Sequence, residues 1–153
     1  MFTSFSEIFE ELRSRGTRKR MVAAWGVDSH TIAAASKAVE LGLADVTLVG
    51  DKDMISKACA DEGVSEHLFT VVHNPDEMKS IAQAVQMIND GEGDFLMKGL
   101  CSTDKFLRAI LNKETGLLLF LLLGTLAADA LLAALEILDL LGNQIIHIVK
   151  AGG

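Results

Sequence analysis

The stretch Asp94-Phe95-Leu96-Met97-Lys98-Gly99-Leu100-Cys101-Ser102-Thr103 decides how the rest of the chain is read. A short apolar run ends at Lys98-Gly99, a Ser-Thr pair follows, and apolar residues then recur at helical spacing through Phe106, Leu107, Ile110 and Leu111. That pattern is a strand, a tight glycine turn and a helix over 104–112. A helix start presents unpaired N–H groups and the positive end of the dipole, so an anion can bind there. Lys98 adds a full positive charge at the strand end, where ligands of open α/β sheets sit. The stretch therefore predicts a phosphate site at Lys98, Gly99, Ser102 and Thr103. A plainer alternative stays open, in which Gly99 only makes the turn and Ser102 or Thr103 only caps the helix.

Upstream, the same alternation repeats. Ser4 with Glu7 forms a capping box, Phe5, Ile8, Phe9 and Leu12 make one apolar face, and Gly16 stops this first amphipathic helix. Thr17 to Arg20 is a basic hinge into a strand over Met21 to Trp25. Gly26-Val27-Asp28-Ser29 turns the chain, and Asp28 or Ser29 caps an Ala-rich helix (Ala33, Ala34, Ala35, Ala38) that ends at Gly42. A second strand, Val46 to Val49, is closed by Gly50-Asp51. A helix from Asp53 to Glu62 then turns Ile55, Ala58 and Cys59 inward, and Phe69 to Val72 is a third strand. Asn74-Pro75-Asp76 starts a further helix whose apolar positions are Met78, Ile81, Ala82, Val85 and Ile88, and Gly91-Glu92-Gly93 stops it. Strands alternating with helices of this length predict an α/β fold, a three-layer αβα arrangement on a mostly parallel sheet with right-handed crossovers. Strand order is not legible.

Composition narrows the function. The chain has 153 residues, half of them hydrophobic, with 14 Lys and Arg against 21 Asp and Glu. One core fits that length, and the acidic balance without a basic patch excludes nucleic acid as an expected partner. Cys59 and Cys101 have no metal-ligand spacing, and His30, His67, His73 and His147 are scattered, so no metal site is expected. Reduced cysteines and an N-terminus without an apolar signal core predict a cytoplasmic protein. Cys101 stands just before a helix start, a place that lowers a thiol pKa, but a structural turn residue is the simpler role. The turn after the first strand lacks a G-x-G-x-x-G pattern, which argues against a nicotinamide site.

After Gly116 the character changes. Leu117 to Leu123 is seven apolar residues, six of them Leu, and a Leu- and Ala-rich run continues to Leu141. Leu117 to Leu135 is long enough to cross a bilayer with Asp129 as its only charge. Against a span, Thr125, Asp129, Glu136 and Asn143 recur as a narrow polar stripe, and no Lys or Arg cluster flanks the segment. The expectation is a buried helix or a homo-oligomer contact over 118–153, with Gln144 to Val149 as a last strand. This segment either completes the first domain, 1–117, or joins copies of the chain.

Two segments carry a family resemblance. Ala38-Val39-Glu40-Leu41-Gly42-Leu43-Ala44 running into Leu48-Val49-Gly50-Asp51 resembles a stretch of the phosphate acetyl/butyryltransferase family. Met97-Lys98-Gly99-Leu100-Cys101-Ser102-Thr103 and Leu111-Asn112-Lys113-Glu114-Thr115-Gly116-Leu117 resemble its "MKGLxST…LNKETGL" signature, nearest the butyryl branch. The resemblance covers about residues 1–117 and implies an isocitrate/isopropylmalate dehydrogenase-like fold. It also implies exchange of an acyl group between coenzyme A and inorganic phosphate, with acyl-CoA and phosphate as small-molecule substrates. Coenzyme A is then a substrate, and no cofactor is held tightly. By the same resemblance Lys98, Gly99, Ser102 and Thr103 cradle phosphate, and Arg108 reaches a phosphate of either substrate or stays a solvated helix charge. Lys113 with Glu114 is a further contact or a surface pair, and no catalytic nucleophile is nominated. Family members read "GLR" where this chain has Gly116-Leu117-Leu118, then continue into a second domain that closes the cleft. Residues 118–153 match nothing in that pattern, so the expectation is a phosphate acyltransferase or only its truncated, rearranged or redesigned phosphate-binding half, inactive alone; the alternative is a non-catalytic module that oligomerises through its leucine-rich segment.

Overall fold

Successive residues of β1 (Lys19–Ala24) feed two different cores, and that alternation builds the molecule in layers. The computed structural model describes residues 7, 10, 11, 14–16, 18–112 and 148–149. After β1 come α1 (Ser29–Glu40), β2 (Ala44–Gly50), α2 (Lys52–Glu62), a 3-10 turn (Glu66–Leu68), β3 (Thr70–His73), α3 (Glu77–Asn89), β4 (Phe95–Lys98), α4 (Thr103–Ile110) and β5 (Ile148–Val149). The sheet runs β3-β2-β1-β4-β5, with β1 to β4 parallel and β5 antiparallel beside β4.

Met21 and Ala23 point to the side where Ile32 and Ala35 of α1 and Ile55 and Ala58 of α2 pack. Val22 and Ala24 point to the other side, onto Ile81, Ala84, Val85 and Ile88 of α3 and Phe106 and Ile110 of α4. The faces follow from handedness. Going from β1 to β3 the chain moves one way and keeps α1 and α2 on one face. The return from β3 to the far side of β1 reverses direction, so a crossover of the same hand must carry α3 to the opposite face. The two cores show that it does.

The expected elements are present with shifted edges. β1 begins earlier than expected and takes in Lys19 and Arg20 from the basic hinge, because they pair with Ala44 and Asp45 of β2, while Asp94 clasps Arg20 from just before β4. The Arg20 backbone N–H donates to Asp94 Oδ2 at 2.8 Å, its guanidinium donates to both carboxylate oxygens, and the Asp94 N–H returns to the Arg20 carbonyl at 2.7 Å. α2 begins at Lys52 because Asp51 is its cap rather than a strand residue. The buried stripe of α3 is Ser80, Ile81, Ala84, Val85 and Ile88. Met78 is 47% exposed and Ala82 also faces outward, since the sheet meets this helix one position round from where its apolar residues alone suggest. On α4, Phe106 and Ile110 are buried while Leu107 and Leu111 are 39% and 49% exposed. Of the four alanines in α1 only Ala35 is fully buried, beside Thr31, Ile32 and Ser36.

Glu7, Glu10, Glu11 and Ser14 are helical, and Gly16 follows at φ +66°. The expected cap at Ser4, the apolar face Phe5, Ile8, Phe9 and Leu12, and the leucine-rich run over 113–147 lie outside the described residues. Of the expected last strand, Ile148–Val149 is described, paired with Leu96 and Phe95. No described helix is long and apolar enough to cross a membrane.

The Arg20–Asp94 clasp gives a pH prediction. Its hydrogen bonds from Arg20 hold the Asp94 carboxyl below the usual carboxylate range. A depressed folded pKa stabilises above the unfolded value, roughly pH 4, and that contribution fades as pH falls through the folded value. Asp94→Asn is expected to cost about 1 kcal/mol at pH 7, allowing for solvent screening of this partly exposed pair. The loss should shrink below about pH 4, as read from urea midpoints across pH.

Candidate anion site

In a parallel sheet every strand ends, and every following helix begins, at one edge. Four helix starts therefore gather at the carboxyl ends of β1 to β4. Strand order reverses between β1 and β4, so the ends of those two strands flank the switch-point crevice where such sheets bind ligands. Ala24 pairs with Lys98 there, which puts the candidate lysine at the crevice.

The caps of the four helices differ in charge. Asp28, Asp51 and Asp76 accept from Thr31, Met54 and Lys79 amides, so α1, α2 and α3 each start on a carboxylate. α4 starts on the neutral Ser102, whose hydroxyl oxygen accepts the Lys105 amide at 3.2 Å. A carboxylate cap offsets its helix dipole and repels an anion; the start of α4 has no such cap, and the one acid of its first turn, Asp104, is paired with Arg108. Among the described residues the amides of Ser102, Thr103 and Asp104 have no hydrogen-bond partner, and Ser102 and Thr103 are exposed.

Gly99 does a different job from its neighbours. Its N–H donates to the Ala24 carbonyl at 2.9 Å, and the Leu100 N–H donates to the Trp25 carbonyl at 3.0 Å. A Cβ on Gly99 would lie 2.2 Å from the Trp25 oxygen, so glycine is required for this approach of two backbones. The Cys101 N–H turns back onto the Gly99 carbonyl at 2.9 Å. The free donors are thus those of 102–104, and Gly99 holds the turn that aims them. Trp25 bends the end of β1 to meet this turn. It adopts φ +55°, a left-handed conformation that is strained for a bulky side chain.

Lys98 is half-buried, and its Nζ lies 3.4 Å from the Gly99 carbonyl oxygen. Among the described residues no carboxylate pairs with it. Its ammonium therefore sits at the Gly99 carbonyl, in the turn that leads into α4, with no ion pair among the described residues. Arg108 is placed elsewhere: it pairs with Asp104 at 2.9 Å, one turn along α4, with both side chains largely in solvent. Arg108→Ala is expected to change stability by less than about 0.5 kcal/mol, because exposed i,i+4 pairs contribute that little. Phosphate-induced thermal shifts should stay close to the native ones.

Cys101 is buried among these groups. Burial pushes its thiol pKa up, which outweighs the helix start expected to lower it; Lys98 and Lys105 pull it down, while Glu77 and Asp28 push it up. A thiol held protonated is a poor nucleophile, in keeping with a structural role. The contact that sequence reasoning missed is between Lys105 and Glu77, 2.6 Å apart, which ties the first turn of α4 to the first residue of α3. That hydrogen bond, ahead of the charge attraction, holds the Lys105 ammonium above the ordinary lysine range.

No family model matches the chain. Among curated relatives, phosphate butyryltransferase of Clostridium acetobutylicum is 38% identical over 117 residues, 76% of this chain. The matched part of this chain is homologous to phosphate butyryltransferase. The enzyme of that name from Clostridium beijerinckii is 34% identical over 117 residues. The chain spans 38% of the length of each of these two relatives. Among solved structures, a phosphotransacetylase from Streptococcus pyogenes superposes with a TM-score of 0.55 at 16% identity, over 71% of this chain and 42% of that one. At that identity the match speaks for the α/β fold alone. It leaves the implied dehydrogenase-like architecture unsupported by any comparison.

Proposed function

We propose that the crevice between β1 and β4 holds the phosphate group in an exchange of an acyl group between coenzyme A and inorganic phosphate, with butyryl-CoA or acetyl-CoA as the acyl donor. The observation carrying this is an ammonium without an ion pair among the described residues, Lys98, near the neutrally capped start of α4 with its free amides, in a chain homologous to phosphate butyryltransferase.

In the acyl-phosphate-consuming direction, the coenzyme A thiolate attacks the acyl carbonyl carbon, a tetrahedral oxyanion forms, and the C–O bond to phosphate breaks. Negative charge then gathers on the departing phosphate. Lys98 and the amides of Ser102, Thr103 and Asp104 would take up that charge, which is the step where fixed donors lower a barrier most. The Ser102 and Thr103 hydroxyls can donate to phosphoryl oxygens as well. Gly99 serves by closing the turn against Trp25. Arg108, held by Asp104, would meet only a ligand extending along the outer face of α4. The expected homo-oligomer and the contribution of 118–153 belong to the same proposal, since of that segment only Ile148–Val149 is described.

The test is phosphate-dependent release of free thiol from butyryl-CoA or acetyl-CoA by the full chain, alongside phosphate-induced thermal stabilisation. Stabilisation, with or without turnover, supports the binding site, and turnover adds the reaction. Absence of both removes the proposal.

A further inference from the structure

We propose that Glu77 sets the anion affinity of the α4 start by holding Lys105 away from it. This rests on the phosphate site proposed above. Lys105 is the third residue of α4, and its own amide donates to the Ser102 cap. Helical side chains lean back toward the N-terminus, so the lysine stem runs over the turn that carries the free amides of Ser102, Thr103 and Asp104. Its ammonium and that of Lys98 both act on the thiol of Cys101, the residue just before the cap. Two cations thus share one small region, yet only Lys98 is unpaired. The second is drawn aside by Glu77 at 2.6 Å.

The pair is weak enough to be exchanged. Its side chains are 42% and 28% exposed, so the bond sits partly in water and contributes modestly. Glu77 also stands at the positive end of α3, next to the Asp76 cap, a second reason for it to stay ionised and to keep its hold on Lys105. Removing its charge leaves Lys105 with no ion pair among the described residues, only the attraction of Asp76 from beyond ion-pair distance, and within a lysine stem's length of the α4 start. Glu77 and Lys105 are accordingly positioning residues, one the restraint and the other the cation restrained.

The experiment is calorimetric titration of the full chain with inorganic phosphate at constant ionic strength, for the native protein, Glu77→Gln, Lys105→Gln and the double variant. Glu77→Gln is expected to bind phosphate about two- to fivefold tighter than native, the scale of releasing one partly exposed ion pair toward a ligand. Made on the Lys105→Gln background, Glu77→Gln should add no affinity over Lys105→Gln alone, which separates release of Lys105 from the general effect of removing a negative charge. If native protein binds phosphate and Glu77→Gln binds no tighter, the restraint is overturned while the site stands. A double variant that binds phosphate tighter than Lys105→Gln also overturns it. If native protein shows no phosphate binding, the site itself falls and the restraint with it.

Discussion

Gly99→Ala is expected to lose about 3–5 kcal/mol of stability, enough to leave much of the chain unfolded at 37 °C. The new Cβ would sit 2.2 Å from the Trp25 carbonyl oxygen, 2.6 Å from the Trp25 carbonyl carbon and 2.7 Å from the Ala24 oxygen. All three are backbone atoms at the end of the central strand, of Ala24 and of Trp25 just after it, and Val22, Ala23 and Ala24 are buried, so none can swing aside as a side chain would. Relief requires β4 to move off β1, which breaks the bonds from Gly99 to Ala24 and from Leu100 to Trp25. Overpacking typically costs about 1–3 kcal/mol, and each lost bond adds about 1. Gly63→Ala is the control. Gly63 caps α2 at φ +66° with nothing near its Cβ position, so only the backbone preference is lost, about 1 kcal/mol. Urea unfolding of both variants measures the contrast, and equal losses would mean the close approach is not what Gly99 provides.

Lys98→Gln is expected to do the reverse, sparing the fold and removing the chemistry. The side chain is half-buried, makes no ion pair among the described residues and has a single long contact to the Gly99 carbonyl, so stability should change by less than about 1 kcal/mol. Acyl exchange should fall by about 10²–10³, the usual cost of deleting one donor aimed at developing negative charge. The loss should appear in kcat rather than in KM for acyl-CoA, because in the proposed exchange the charge that Lys98 would meet grows on phosphate as the bond breaks. A variant with native rates and weakened folding would make Lys98 a structural residue.

The order of strands and helices was legible because the chain punctuates itself. Asp28, Asp51 and Asp76 open helices and Gly16, Gly42, Gly63 and Gly91 close elements in left-handed conformations, both local effects visible in a short window. The site was legible only in outline. A glycine after a strand reads the same whether it makes a turn or lets another backbone pass, and the difference at Gly99 lies in Trp25, far away in sequence. The face of α3 was misjudged because Met78 and Ala82 fit the helical spacing as well as Ser80 and Ala84 do. The sheet chooses between them, and Ser80 earns its buried place by donating to the Asn74 carbonyl at 3.0 Å. Lys105 and Glu77 meet across 28 residues with no local pattern to announce it.

The central claim is that an anion is held by the backbone at the start of α4 beside Lys98. Amide chemical shifts followed while inorganic phosphate is titrated into the full chain test it most directly. The predicted result is saturable movement of the Ser102, Thr103 and Asp104 amide resonances, with Gly99 and Leu100, already bonded to β1, moving little. Shifts that never saturate, or that spread over exposed lysines while 102–104 stay still, would contradict it.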